Sequence, residues 1–155
     1  MAANWIAPGR SFAPASPRAA VDPSGADGST TRVVPPIVLV VDDNADLRDL
    51  VSVKLYRAGY DVKTASNGWE ALQAAENWLP DLIVLDIMMP GLSGLEVCRK
   101  LRASRYLAHV PVIMLSAAFT VASSAEAHAA GANLCMGKPF RPRDLLAEVS
   151  ALLAA

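Results

Sequence analysis

The stretch IVLVV, residues 37–41, is an unbroken apolar run that drives straight into Asp42 and Asp43. A short, branched run without polar alternation marks a strand buried on both faces, as in a parallel sheet covered by helices. It also poses a chemical question. Two like charges placed side by side at the end of a buried strand need a reason.

The rest of the chain supplies alternating strand and helix patterns. Asn44 is placed to cap a helix in which Leu47, Leu50, Val51 and Leu55 fall at helical spacing, and Gly59 suits its end. Residues 60–65 alternate and read as a second strand. Asn67 and Gly68 open a second helix carrying Trp69, Leu72, Ala75 and Leu79, which Pro80 stops. Residues 82–85 form a third strand that ends on Asp86. The loop MMPGLSG follows, where Pro90 and Gly91 permit a sharp turn. Residues 95–103 carry Leu95, Val97, Cys98 and Leu101 as the apolar members of a third helix. Residues 110–115 are a fourth strand running into Ser116. An Ala-rich helix from about 120 to 130 is ended by Gly131. Residues 134–136 are a short fifth strand running into Lys138. Pro142 opens a last helix with Leu145, Leu146, Val149 and Leu152 as its buried stripe. Five strand–helix repeats predict one doubly wound α/β domain, with right-handed crossovers placing helices on both faces of a parallel sheet.

Residues 1–35 are rich in Ala, Pro, Ser and Gly and lack either periodicity. They read as a disordered extension ahead of a domain spanning 36–155. The extension has no apolar core of a secretory signal, while its arginines leave an organelle transit peptide open. Trp5, Ile6 and Phe12 are either a short docking motif or inert. Net charge is −1 and there is no Lys/Arg cluster, so no nucleic-acid surface is expected. No apolar run is long enough for a bilayer, so no membrane partner is expected. Cys98 and Cys135 are far apart and lack metal-ligand spacing, which suits a reduced, cytoplasmic protein.

In doubly wound folds the reactive site lies at the carboxyl ends of the strands. Asp42 and Asp43, Asp86, Ser116 and Lys138 all occupy such ends, on four different strands. A lone strand-end aspartate is usually a cap or a solvated turn residue. Five polar residues gathered on one edge are not explained that way. Crowded carboxylates demand a cation, and a hard ion such as Mg²⁺ takes oxygen ligands while keeping waters for a phosphate. Lys138 supplies a flexible positive charge for phosphoryl oxygens, and Ser116 a hydroxyl. Asp42 and Asp43 then make sense as metal-holding groups, with Asp86 as a nucleophile that becomes an aspartyl-phosphate.

The segments VVDDN, LIVLDIMMPGLSG, VPVIMLSA and GANLCMGKPF resemble, in order and spacing, the bacterial response regulator receiver (CheY-like) domain. The resemblance runs from about residue 36 to the C-terminus. It implies a flavodoxin-like sheet of order 2-1-3-4-5 with five helices. It implies that Asp86 accepts a phosphoryl group from a sensor histidine kinase or a histidine phosphotransfer protein. Asp42, Asp43, Asp86 and the backbone carbonyl of Met88 would bind Mg²⁺. Ser116 would be the switch hydroxyl, Lys138 would contact the phosphoryl group, and the Lys138–Pro139 peptide would be cis. Small Ala117 would leave room for the donor. The output would be changed contact with an unknown downstream protein, with a phosphorylation-dependent homodimer as one form of it.

One departure stands out. The family usually carries Tyr or Phe three residues before the lysine, and here that position is Cys135. A cysteine cannot fill the volume of an inward-swinging ring. The fourth helix is also short of charge, which reads either as a partner surface or as a merely Ala-rich helix. His109 and His128 lack ligand companions. GLSG, residues 91–94, lacks both phosphate-loop spacings. Cys98 reads as a small core residue.

Three functions follow. The first is a stand-alone, non-enzymatic receiver. The second is a receiver-like scaffold with altered output, because of Cys135. The third is a small Mg²⁺-dependent aspartyl phosphohydrolase. Enzymes of that type place a second acid two residues after the nucleophile, where this chain has Met88.

Overall fold

The computed structural model describes residues 34–155. The expected extension, with Trp5, Ile6 and Phe12, falls outside them apart from Val34 and Pro35. Residues Pro36–Ala155 form one compact unit. Its elements are β1 (Ile37–Val41), α1 (Ala45–Arg57), β2 (Asp61–Ala65), α2 (Gly68–Trp78), β3 (Leu82–Asp86), α3 (Gly94–Arg102), β4 (Val112–Ser116), α4 (Val121–Ala129), β5 (Leu134–Gly137) and α5 (Pro142–Ala154). The sheet is parallel throughout, in the order β2-β1-β3-β4-β5. This is the doubly wound, CheY-like arrangement expected from the sequence.

The three central strands are buried at every residue, which explains their lack of polar alternation. Val38, Val40, Leu82, Val84, Ile113 and Leu115 cluster with Val51 and Leu55 of α1 and with Leu145 and Val149 of α5. Each such side chain contributes about 1.5–3 kcal/mol by leaving water. Four of the five helices begin where short polar side chains accept from the first turn, while α5 begins at Pro142 without a side-chain cap. Asn44 accepts from the amide of Leu47, and Asn67 from that of Glu70. Ser93 and Thr120 each close a reciprocal capping box, with Glu96 and Ser123 respectively. Gly59 and Gly131, with φ of 103° and 112°, turn the chain in the left-handed region just past α1 and α4.

Two helical stripes differ from expectation. In α2, Trp69 is exposed and Leu79 lies beyond the helix at φ 47°, also exposed. The buried face is the expected Ala75 together with Gly68, Ala71 and Ala74. A Cβ on Gly68 would come 2.7 Å from the Leu92 carbonyl oxygen, so the start of α2 lies against the β3–α3 loop with no room for a side chain. In α1, Val51 and Leu55 are buried while Leu50 faces solvent. β4 starts at Val112 rather than residue 110, because Pro111 has no amide hydrogen to donate.

Candidate functional site

β1 and β3 are neighbours and both run into acid. The register that pairs Val41 with Leu85 brings Asp42 level with Asp86 one step further on. Asp86 pairs with Leu115, so Ser116 lies one residue beyond it, and Ser116 in turn pairs with Gly137, just before Lys138. Parallel pairing therefore carries all of these groups to one edge. Asp42, Asp86 and Ser116 are the buried polar residues among those described, at 1%, 2% and 2% exposure.

The three carboxylates of Asp42, Asp43 and Asp86 offer oxygens that all lie within 4.8 Å of one another. Asp43 is the exposed member. Lys138 reaches in from β5, with Nζ 3.0 Å from Asp42 Oδ2 and 3.3 Å from Asp86 Oδ1. Its main-chain amide donates to the Ser116 carbonyl at 2.8 Å, fixing the strand end beside the Ser116 turn. The Lys138–Pro139 peptide is cis. The Met88 amide donates to Asp86 Oδ1 at 3.2 Å, while its side chain faces solvent. An acidic side chain two residues after Asp86, as a phosphohydrolase of the third reading needs, is therefore absent by sequence.

Electrostatics follow from this packing. Burial, aided by the neighbouring Asp42 charge, pushes the Asp86 carboxyl up to about 6 against the pull of Lys138 and the Met88 amide. At neutral pH it is still mostly ionised. Burial works to lower Lys138, but its hydrogen bond to Asp42 and the two carboxylate charges outweigh that, so its affinity for the proton is raised. One ammonium against three carboxylates leaves the cluster over-supplied with negative charge. A set of hard oxygen donors with one open to solvent fits Mg²⁺, which retains several of its own waters.

Sequence reading missed two contributors. Gly94 begins α3 directly against the Asp86 main chain. A Cβ there would overlap the Asp86 carbonyl oxygen and come 2.8 Å from Ile87 Cα. Of the two glycines in GLSG, Gly94 marks this close approach, while Gly91 turns the loop at φ 80° with open space around it. Arg48 of α1 donates from Nη1 to the Asp42 carbonyl at 2.7 Å. Cys135 is buried on β5, and burial raises its thiol. The nearby aromatic is Phe119, half exposed in the β4–α4 loop. It packs over Gly137, where a Cβ would meet the Phe119 Cβ at 2.7 Å.

Comparison with known proteins agrees with this architecture. The family model described as response regulator receiver domain matches residues 38–150. The alkaline phosphatase synthesis transcriptional regulatory protein PhoP of Bacillus subtilis is 46% identical over 116 residues, covering 75% of this chain and 48% of that protein. The chain thus spans about half the length of the curated relatives it matches. Chemotaxis protein CheY4 of Vibrio cholerae superposes with a TM-score of 0.73 at 35% identity, covering 76% of this chain and 98% of that one. The receiver domain of sensor histidine kinase PA1611 from Pseudomonas aeruginosa, solved with a magnesium ion coordinated in its active site cleft, gives 0.73 at 27% identity. That match covers 79% of this chain and 100% of the other. Among the described residues no helix is long and apolar enough to cross a membrane. The order of strands, the acidic edge and these likenesses together place the chain in the response regulator receiver domain family of two-component systems.

Proposed function

We propose that the domain is a phosphorylation-driven signalling module in which Asp86 receives a phosphoryl group from a phosphohistidine. An Asp86 carboxylate oxygen attacks phosphorus, the P–O bond forms as the P–N bond breaks, and the departing imidazole keeps the electron pair. Asp42, Asp43, Asp86 and the Met88 carbonyl would hold Mg²⁺, which when bound offsets charge on the phosphoryl oxygens. Lys138 neutralises the remainder from the opposite side. Ser116, at the end of the adjacent strand, donates its hydroxyl to the phosphorylated group. The observation that carries this reading is the placement of Lys138 Nζ within 3.3 Å of both buried carboxylates.

The donor is a sensor histidine kinase or histidine phosphotransfer protein, and the output is altered binding of a downstream protein. A non-enzymatic role accords with Met88 at the place of a second acid. The two unpaired cysteines, Cys98 and Cys135, support a cytoplasmic setting. Independent action of the domain draws support from CheY4, 98% of whose chain it covers. Relatives such as PhoP are about twice as long and are named as transcriptional regulators. A nucleic-acid-binding partner domain in the natural product would replace the stand-alone reading. The scaffold reading has its own observation, Cys135, which concerns output and leaves the phosphorylation chemistry intact.

The test is incubation with Mg²⁺ and acetyl phosphate, read by intact mass. The wild type gains one phosphoryl group and Asp86→Asn gains none. A wild type without mass gain, or a variant that still gains it, overturns the assignment.

A further inference from the structure

The carbonyl of Asp42 belongs to a residue only 1% exposed, at the point where β1 stops and the chain turns toward α1. A buried carbonyl without a partner is costly. The partner here is the guanidinium of Arg48, six residues ahead, at 2.7 Å. Its placement runs against the helix. Arg48 lies near the N-terminal end of α1, where the macrodipole disfavours a cation. The same turn is pinned at two further points. The Asn44 amide donates to Asp42 Oδ1 at 2.9 Å, and the Leu47 amide donates to Asn44 Oδ1 at 3.1 Å. The turn is thus held through its main-chain oxygen, its first carboxylate and its cap. The peptide whose oxygen Arg48 holds is the one that joins Asp42 to the exposed Asp43.

We infer that Arg48 is a positioning residue for the cation held by Asp42 and Asp43, acting through the Asp42–Asp43 peptide rather than through its charge. The inference rests on the proposed reading of the acidic cluster as a Mg²⁺ site. Mg²⁺ demands near-ideal octahedral geometry, so looseness in two of its ligands weakens binding. Outer contacts that orient ligands are worth about 10–100-fold in metal affinity. Charge alone acts in the opposite direction. Removing a cation beside the site strengthens binding of Mg²⁺ by Coulomb's law.

The two effects predict different orders. Wild type, Arg48→Lys and Arg48→Met are titrated with MgCl₂ alone and followed by amide NMR shifts. Positioning predicts that Arg48→Lys, which keeps the charge but loses the planar fork, binds a few-fold more weakly, and that Arg48→Met binds about 10-fold more weakly. In the metal-free protein the amides of Asp43 and Asn44 exchange with solvent faster in both variants, while the amides of β3 and β4 do not. Unchanged affinity in Arg48→Lys overturns the inference, as does equal or tighter binding in Arg48→Met. Arg48→Lys decides the matter even if Arg48→Met does not fold. A wild type that binds no Mg²⁺ at millimolar concentration overturns the cation-site reading itself, a separate outcome.

Discussion

Arg102 and Lys138 are half-buried cations at opposite ends of the sheet, and their surroundings treat them differently. At the amino ends of β4 and β5, Arg102 of α3 donates to the carbonyls of Gly131, Leu107, Ala108 and Val110 and to the Asn133 side chain, at 2.8–3.4 Å. Asn133 Oδ1 also accepts from the Val112 amide. Every acceptor is neutral, and each of the three guanidinium nitrogens has at least one. That cluster ties the α3–β4 and α4–β5 loops together. At the carboxyl ends, Lys138 faces charged oxygens that outnumber it. A cation surrounded by neutral acceptors of its own chain stabilises a fold. A cluster with surplus charge of one sign stores an affinity for something that is not part of the chain.

The largest test of that contrast removes each cation in turn. Lys138→Met takes away the positive group opposite the reacting oxygen. We expect phosphoryl uptake from acetyl phosphate to slow about 10³-fold, or about 4 kcal/mol of barrier. Its folding midpoint should shift far less, because excess Mg²⁺ can neutralise the freed carboxylates. Arg102→Met should do the reverse. It leaves several carbonyls short of a donor and costs about 3 kcal/mol of stability in urea unfolding. Mg²⁺ affinity should stay within about two-fold, on the order expected for distant, uncoupled sites. If Arg102→Met abolished Mg²⁺ binding in a still-folded domain, the two ends would be one coupled network and the comparison would fail.

The two ends were also unequally legible. The carboxyl end was readable because each member terminates a strand whose apolar run is unmistakable, and parallel pairing then gathers the ends. Asp42, Asp43, Asp86 and Lys138 meet as the sequence implies, and Ser116 lies on the same edge. The Arg102 fork was invisible, because its partners are main-chain oxygens that carry no residue signature. Arg48 escaped for the same reason, and Gly94 because close approach to Asp86 depends on how α3 seats. The α2 face was misread because hydrophobic size was taken as burial. Trp69 and Leu79 attract attention, yet both are exposed, and the small Ala71, Ala74 and Ala75 form the buried face. Lys63 and Trp78 show a further use of large groups outside the core. The ammonium lies 3.8 Å from the ring centre on edge strand β2, where charge guards against edge pairing.

The pH dependence is the most discriminating test, because its sign is unusual for an aspartate. The Asp86 carboxyl is raised from 3.8 to about 6 by burial and by Asp42. The folded, metal-free domain therefore holds the proton more tightly than the unfolded chain. Stability from this group is fully present below pH 3.8 and is lost as pH rises through about 6. At pH 8 the ionised Asp86 is a burden of about 3 kcal/mol, so Asp86→Asn should be more stable than wild type by about that amount without metal. At pH 4.5 the gain should shrink. Mg²⁺ at pH 8 should stabilise the wild type and leave the variant nearly unmoved, erasing the difference. Urea unfolding at the two pH values, with and without MgCl₂, measures all of this. A variant less stable than wild type at pH 8 without metal would mean that Lys138 already satisfies the cluster. The carboxyl end would then be internally satisfied, with no surplus charge to recruit a cation.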